Sequence, residues 1–293
     1  MQSDYANMVA FETIRGRRQL APLVFNSAHS GSDYPKRFLA MTQLDKMSIR
    51  QSEDTHVDEI FARVPHMGAI LLKANFPRSY LDVNREPYEL DPAMFRDPLP
   101  KHHNTASPRV AAGLGTLARI VAHNKPIYRE ALSLADAQMR IEGIYRPYHA
   151  TLQKLLSETA NRFGTAILVD CHSMPALARS KKHMPPDIVL GDRFGTTCSP
   201  QLIDMIDNIL GGAGLRVARN HPYAGGFITR SYGRPEFGIH AIQIEISRHL
   251  YMNEKTRMPH GGFRKIKRIM EQMSDMLIKM DMDQLVEHKY AAE

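Results

Sequence analysis

The sequence predicts an α/β fold: a single three-layer domain over residues 1–293 with a largely buried sheet. Two observations carry this. Segments with strand character alternate with helical ones along the whole chain, and the strand segments are apolar on both faces, the pattern of a sheet covered by helices. No linker, repeat or shift in composition divides the chain. In order, Pro22–Leu23–Val24–Phe25 through His29 reads as a buried strand ending in polar residues. Ser52 to Val64 has helical spacing at Val57, Ile60, Phe61 and Val64. Gly68 to Ala74 is a strand, and Arg78 to Arg85 reads as extended. Residues 86–107, rich in Pro, Asp and His, form a long loop. Pro126 to Phe163 is largely helical with a stop or kink at Pro147. Thr165 to Asp170 is a continuous apolar strand followed by Cys171–His172–Ser173, and Asp187 to Gly191 is a short strand. Ser199 caps a helix that Gly211–Gly212 stops, and Ala241 to Ile246 is a strand with a carboxylate inside it. Gly262 to Leu285 is a long amphipathic helix.

Composition narrows the class. The chain is 43% hydrophobic and 24% charged, close to the average globular protein, which excludes collagen-like, disordered and disulfide-framed types. No stretch approaches the roughly 18 apolar residues of a membrane helix. The N-terminus has no apolar run before a small-residue cleavage site, so a cytoplasmic protein is expected, with Cys171 and Cys198 as reduced thiols. The net charge is +7, but the basic residues are scattered. The densest runs (Arg15 to Arg18, Lys181–Lys182–His183 and Arg264 to Arg268) lack interleaved aromatics, and there is no Trp. Neither a nucleic-acid nor a membrane partner is expected; a small anionic ligand fits the balance better.

Four signals carry chemistry. His29 and His172 each follow an apolar strand beside small polar residues, where open α/β sheets collect ligands. Together they suggest a metal or acid/base site, with Asp170 as a carboxylate supporting His172. Glu245 interrupts Ala–Ile–Gln–Ile–Glu–Ile. Alternation puts it and Gln243 opposite Ile242, Ile244 and Ile246, either on a half-exposed edge strand or as a general base. Arg78, Arg85 and Arg230 lie in polar, turn-like settings suited to bidentate capture of carboxylates, and Gly225–Gly226 would let a ligand or backbone come close. His56 and Glu59, at i and i+3, read as a helix-surface pair. Gly113–Leu114–Gly115 follows no clear strand and makes a poor nucleotide fingerprint, and Cys171 faces away from its neighbour His172.

These segments together resemble the N-formylglutamate amidohydrolase family. The matching pieces are Asn26–Ser27–Ala28–His29–Ser30–Gly31, Asp54–Thr55–His56–Val57–Asp58, and Arg78 through Arg85. Asp170–Cys171–His172–Ser173 and the block Gly225 through Pro235, running on to Gln243–Ile244–Glu245, complete the set. Their order holds from about residue 22 to 252. The resemblance implies a mixed-sheet fold like that of the zinc carboxypeptidases and aspartoacylase, with one Zn²⁺. It implies His29 and His172 as first and last metal ligands and Glu245 as the catalytic glutamate. Asn84–Arg85 would grip a substrate carboxylate or the developing oxyanion, and Arg78, Gly226 and Arg230 would complete the substrate site. Those relatives take the middle ligand from His-x-x-Glu, but Ser32 stands three after His29, so Asp54 is the candidate; His56 stands where a second acid is expected. The implied reaction is metal-dependent hydrolysis of N-formyl-L-glutamate to formate and glutamate. The alternatives are a related N-acyl amino acid deacylase and a non-catalytic metal- or ligand-binding relative.

Overall fold

The computed structural model describes residues 8–121, 124–178 and 184–280. The strands are β1 (Phe11–Arg15), β2 (Leu23–Ser27), β3 (Ile70–Ala74), β4 (Ile120–Val121), β5 (Lys125–Pro126), β6 (Ala166–Met174), β7 (Ile188–Gly191), β8 (Val217–Arg219) and β9 (Ile239–Ser247). Seven of them form a sheet in the order β1-β3-β2-β6-β9-β7-β8, and β4 and β5 make a separate antiparallel ribbon. β2 runs parallel to β6 and β6 to β9, whereas β7 is antiparallel to β9 and parallel to β8. The sheet is therefore mixed, as expected. The chain divides into two compact units, each made of three chain segments.

One unit comprises residues 13–27, 54–72 and 153–293. Its core is one face of the sheet, where Ile167, Val169, Cys171, Ile242, Ile244 and Ile246 pack with Leu202, Ile206, Ile266, Met270 and Met273. These come from helices Pro200–Gly212 and Gly262–Ile278, whose apolar positions recur at helical spacing. Met270 and Met273 in that stripe are core filler, not a ligand set. On the opposite face of β9, the Gly226 N–H that opens helix Phe227–Tyr232 donates to the Gln243 side chain at 2.8 Å. Helical elements thus cover both faces here. A Cβ on Gly191 would come within 2.6 Å of the Gly225 nitrogen, and Gly225 has φ +111°, so this glycine-rich turn serves close backbone approach to the end of β7.

The other unit comprises residues 1–12, 28–53 and 73–152. Arg140 is fully buried, its guanidinium 4.2 Å from the Tyr80 ring centroid and near Phe38 and Tyr128, with Asp136 as its ion-pair partner. Residues 86–107 hold little regular structure beyond a short 3₁₀ turn, Pro92–Met94, capped by Asp91.

Several elements differ from the sequence reading. The expected helix over 52–64 breaks into a 3₁₀ turn (Arg50–Ser52) and two four-residue helices, Val57–Ile60 and Val64–Met67. His56 sits at φ +70°, which no continuous helix tolerates, and the break leaves Asp54 and Thr55 outside any helix. Arg78 to Arg85 is a run of turns, because Asp82 folds the segment onto itself: its Oδ1 accepts the Asn84 N–H at 2.9 Å. The helical stretch after Pro126 starts only at Leu134, and the irregularity expected at Pro147 is a π-helical turn, Ile141–Tyr145, just before helix Arg146–Phe163. Strand β6 runs to Met174, so His172 lies within the strand rather than beyond it. Helix Gly262–Ile278 is shorter than read; residues 281–285, like the run Lys181–Lys182–His183, lie outside the described residues.

Candidate active site

β6 and β9 set the chemistry through their register. Parallel pairing places Asp170 opposite Gln243 and His172 opposite Glu245, so these four polar side chains share the face away from the apolar core. Cys171 faces the core instead; burial pushes its thiol well above the usual range, as a structural cysteine requires and a nucleophile does not. β9 lies between β6 and β7, so Glu245 is on an interior strand, not the half-exposed edge considered from sequence, and is only 8% exposed. Its Oε1 accepts from Gln243 Nε2 at 2.8 Å, while Gln243 Oε1 accepts from the Gly226 N–H.

His172 is flanked by two carboxylates. Its Nδ1 lies 3.0 Å from Asp54 Oδ2 and its Nε2 lies 3.0 Å from Asp170 Oδ2. Asn26 on β2, in register with Asp170, donates to the other Asp170 oxygen at 2.7 Å. Burial works against charge on this imidazole, but Asp170 first, then Asp54 and Glu245, outweigh it and hold its pKa well above the ordinary histidine value. Asp54 is itself held by Ser173, which the sequence reading placed in a matching motif without a role, and by Arg248, which it did not mention. His56, where an acid was expected, bonds Glu59 through Nδ1 at 2.6 Å and the Arg257 carbonyl through Nε2 at 3.0 Å. The surface pair read from the sequence is present.

His29 follows β2 by two residues and is buried. Its Nε2 meets Asp82 Oδ1 at 2.8 Å. Burial raises the Asp82 pKa, but Arg78, Arg85 and His29 together outweigh it and hold the carboxyl well below the usual range. Asp82, which lies in the matching piece Arg78 through Arg85 but was given no role there, is thus the hub of this cluster. Arg78 Nε donates to Asp82 Oδ2 at 2.9 Å, and Arg85 Nη2 lies 3.6 Å from the same oxygen. Arg85 is buried more deeply than its sequence setting suggested. Its Nε and Nη1 donate to the carbonyls of Leu114 and Asn84, and desolvation lowers its pKa to about 10. Arg230, on helix Phe227–Tyr232, is exposed, with its guanidinium 5.7 Å from the Phe227 ring.

Among the described residues, His29, Asp54 and His172 form a group able to hold a metal ion; one ligating atom from each lies within 4.8 Å of the others. The donor chemistry fits a divalent transition metal: two imidazoles and a carboxylate, with the Nε2 of each imidazole set against a carboxylate that fixes its ring. Nδ1 is then the nitrogen each histidine offers.

The family model described as N-formylglutamate amidohydrolase matches residues 21–252, a span that contains His29, Asp54, Asp82, His172 and Glu245. An N-formylglutamate deformylase of Pseudomonas aeruginosa is 28% identical over 254 residues, covering 83% of this chain and 87% of its own. A second, from Pseudomonas putida, is 29% identical over 211 residues, covering 69% and 71%. The crystal structure of an N-formylglutamate amidohydrolase from Ralstonia eutropha is 36% identical, with a TM-score of 0.87 over 93% of this chain and 98% of that one. With that span of motifs and that degree of structural likeness, the chain belongs to the N-formylglutamate amidohydrolase family.

Proposed function

We propose that this protein is a zinc-dependent amidohydrolase that cleaves the formyl amide of N-formyl-L-glutamate to formate and glutamate. The observation that carries the reading is the coincidence of the family match with a buried donor set, His29, Asp54 and His172, beside an ionisable Glu245. Those three residues would hold the metal. When bound, zinc would supply Lewis acidity, polarising the formyl carbonyl and making the attacking water more acidic. Glu245 takes a proton from the attacking water and returns it to the nitrogen of the departing glutamate. Gln243 fixes one oxygen of that carboxylate, so its proton is exchanged from a set orientation.

N-formylglutamate carries two carboxylates, and Arg78 and Arg230 are cations with solvent-accessible surface to meet them. Arg85 and Asn84 are proposed for the carbonyl end of the substrate, and the turn at Gly226 for backbone contact. The test is release of the free amino acid from N-formylglutamate, measured beside N-acetylaspartate and N-succinylglutamate, after chelation and again after zinc is restored. Zinc-restored turnover of N-formylglutamate is expected. Turnover confined to another member would overturn the substrate, and full activity in the chelated protein would overturn the metal.

A further inference from the structure

We infer that Arg248 is a positioning residue that fixes which carboxylate oxygen Asp54 presents to the metal. The inference rests on the proposed metal site and deepens it. Arg248 begins the turn that follows β9 and is only 5% exposed. Its Nη2 donates to Asp54 Oδ1 at 3.1 Å and its Nε donates to Ser173 Oγ at 3.0 Å. Ser173 Oγ in turn donates to the same Asp54 Oδ1 at 3.0 Å. Two donors thus converge on one oxygen, while Oδ2 is the oxygen that faces His172 Nδ1 at 3.0 Å. In these contacts the two oxygens of one carboxylate have different neighbours, a division that suits one-oxygen metal ligation.

A simple structural ion pair would also place a guanidinium here, since a buried carboxylate and a buried arginine each need a partner. The surroundings argue for a narrower role. The backbone beside Asp54 is already held by other groups: the Tyr251 hydroxyl donates to the Thr55 carbonyl at 3.1 Å, and Arg257 Nε donates to Thr55 Oγ1 at 2.9 Å. Arg248 and Ser173 are therefore left to govern the rotation of the Asp54 carboxylate rather than the path of the chain. The planar fork of arginine reaches Ser173 and Asp54 from two nitrogens at once, which the single ammonium of lysine cannot reproduce.

The experiment measures zinc affinity of the full chain by competition with a chromophoric chelator, for the wild type, R248M, R248K, S173A and the double variant R248M/S173A. The wild type is expected to bind one zinc. R248M should bind about 10- to 100-fold more weakly, the range for loss of a group that orients a metal ligand. R248K should recover only part of that loss, and S173A should lose less in the same direction. The double variant should fall short of the product of the two single losses, because both residues act through one oxygen. Cobalt-substituted R248M should show shifted visible absorption bands relative to cobalt-substituted wild type. Circular dichroism of the metal-free proteins checks the fold; if R248M is unfolded, S173A and R248K carry the test. Unchanged or tighter zinc binding in the folded variants would overturn the role of Arg248 while leaving the metal site standing. A wild type that binds no zinc would overturn the metal site, and this inference with it.

Discussion

Glu245 is an acid on an interior strand, and its environment is specific enough to test directly. In E245Q the carboxylate is lost but the shape is kept, and Gln243 can still bond the side-chain oxygen. Turnover should fall by about 10²- to 10⁴-fold, the usual contribution of a positioned proton-transfer group, while zinc stoichiometry is unchanged; steady-state rates and metal analysis check both. His240, earlier on the same strand, gives a prediction about stability. It is 2% exposed, its Nδ1 accepts from the Ser199 N–H, and burial lowers its pKa from 6.5 to about 4. Above pH 6.5 it is neutral in both the folded and the unfolded chain. As pH falls from 6.5 towards 4, the unfolded chain takes up a proton that the folded chain refuses, so stability declines over that window and levels off below it. The loss is on the order of 3 kcal/mol. In H240Q the difference between pH 7 and pH 4.5 in urea unfolding should shrink by that order; an unchanged difference would refute the assignment. Single residues were legible where their own neighbours made them anomalous: Glu245 among isoleucines, His29 and His172 after apolar runs. Ser173 and Arg248 were given no role, because their meaning lies in contacts with Asp54 far along the chain, and Asp82, though inside a matching piece, was given none because its tie to His29 spans distant positions.

At the scale of elements, alternation did most of the work. Strand β9 was readable because Ile242, Ile244 and Ile246 must share one face and Gln243 and Glu245 the other, and the apolar face proves to be the core. I244A should therefore cost about 2–5 kcal/mol, the range for a buried large-to-alanine change, with the urea midpoint as the measurement. Helix Pro200–Gly212 was equally legible, since Ser199 precedes a proline at the first helical position and its Oγ accepts the Leu202 N–H at 3.3 Å. S199A should cost about 1 kcal/mol, readable in the same way. The stretch from Ser52 to Val64 was misread for a physical reason: four correctly spaced apolar residues satisfy the helical pattern even though His56, just before the first of them, turns left-handed and the chain leaves the helix after Ile60. That break at His56 is also what frees Asp54 from a helix and turns its carboxylate towards Ser173 and His172. Strands β1 and β8 went unseen; both are short and only partly buried, so neither shows a continuous apolar run.

At the scale of the whole molecule, the fold class followed from the alternation of element types, whereas the two compact units did not. Their boundaries fall at residues 12/13, 27/28, 53/54, 72/73 and 152/153, next to or inside regular elements, where composition does not change. The proposed metal ligands are separated by 25 and 118 positions in sequence (54 − 29 and 172 − 54). An unfolded chain cannot hold three such distant groups around one ion without a large loss of loop entropy. A metal held by all three therefore binds the folded state almost exclusively, and its binding free energy adds to stability by mass action. With free zinc at about 1,000 times its dissociation constant, that addition is about 4 kcal/mol. Chelated protein should consequently unfold several degrees below the zinc-loaded protein, and the gap should widen as free zinc is raised. In a variant carrying His29→Ala, the zinc-dependent part of that gap should largely disappear, although the metal-free variant keeps its own unfolding transition. Equal midpoints for chelated and zinc-loaded wild type, by calorimetry at matched ionic strength, would show that no metal is bound by residues that folding brings together.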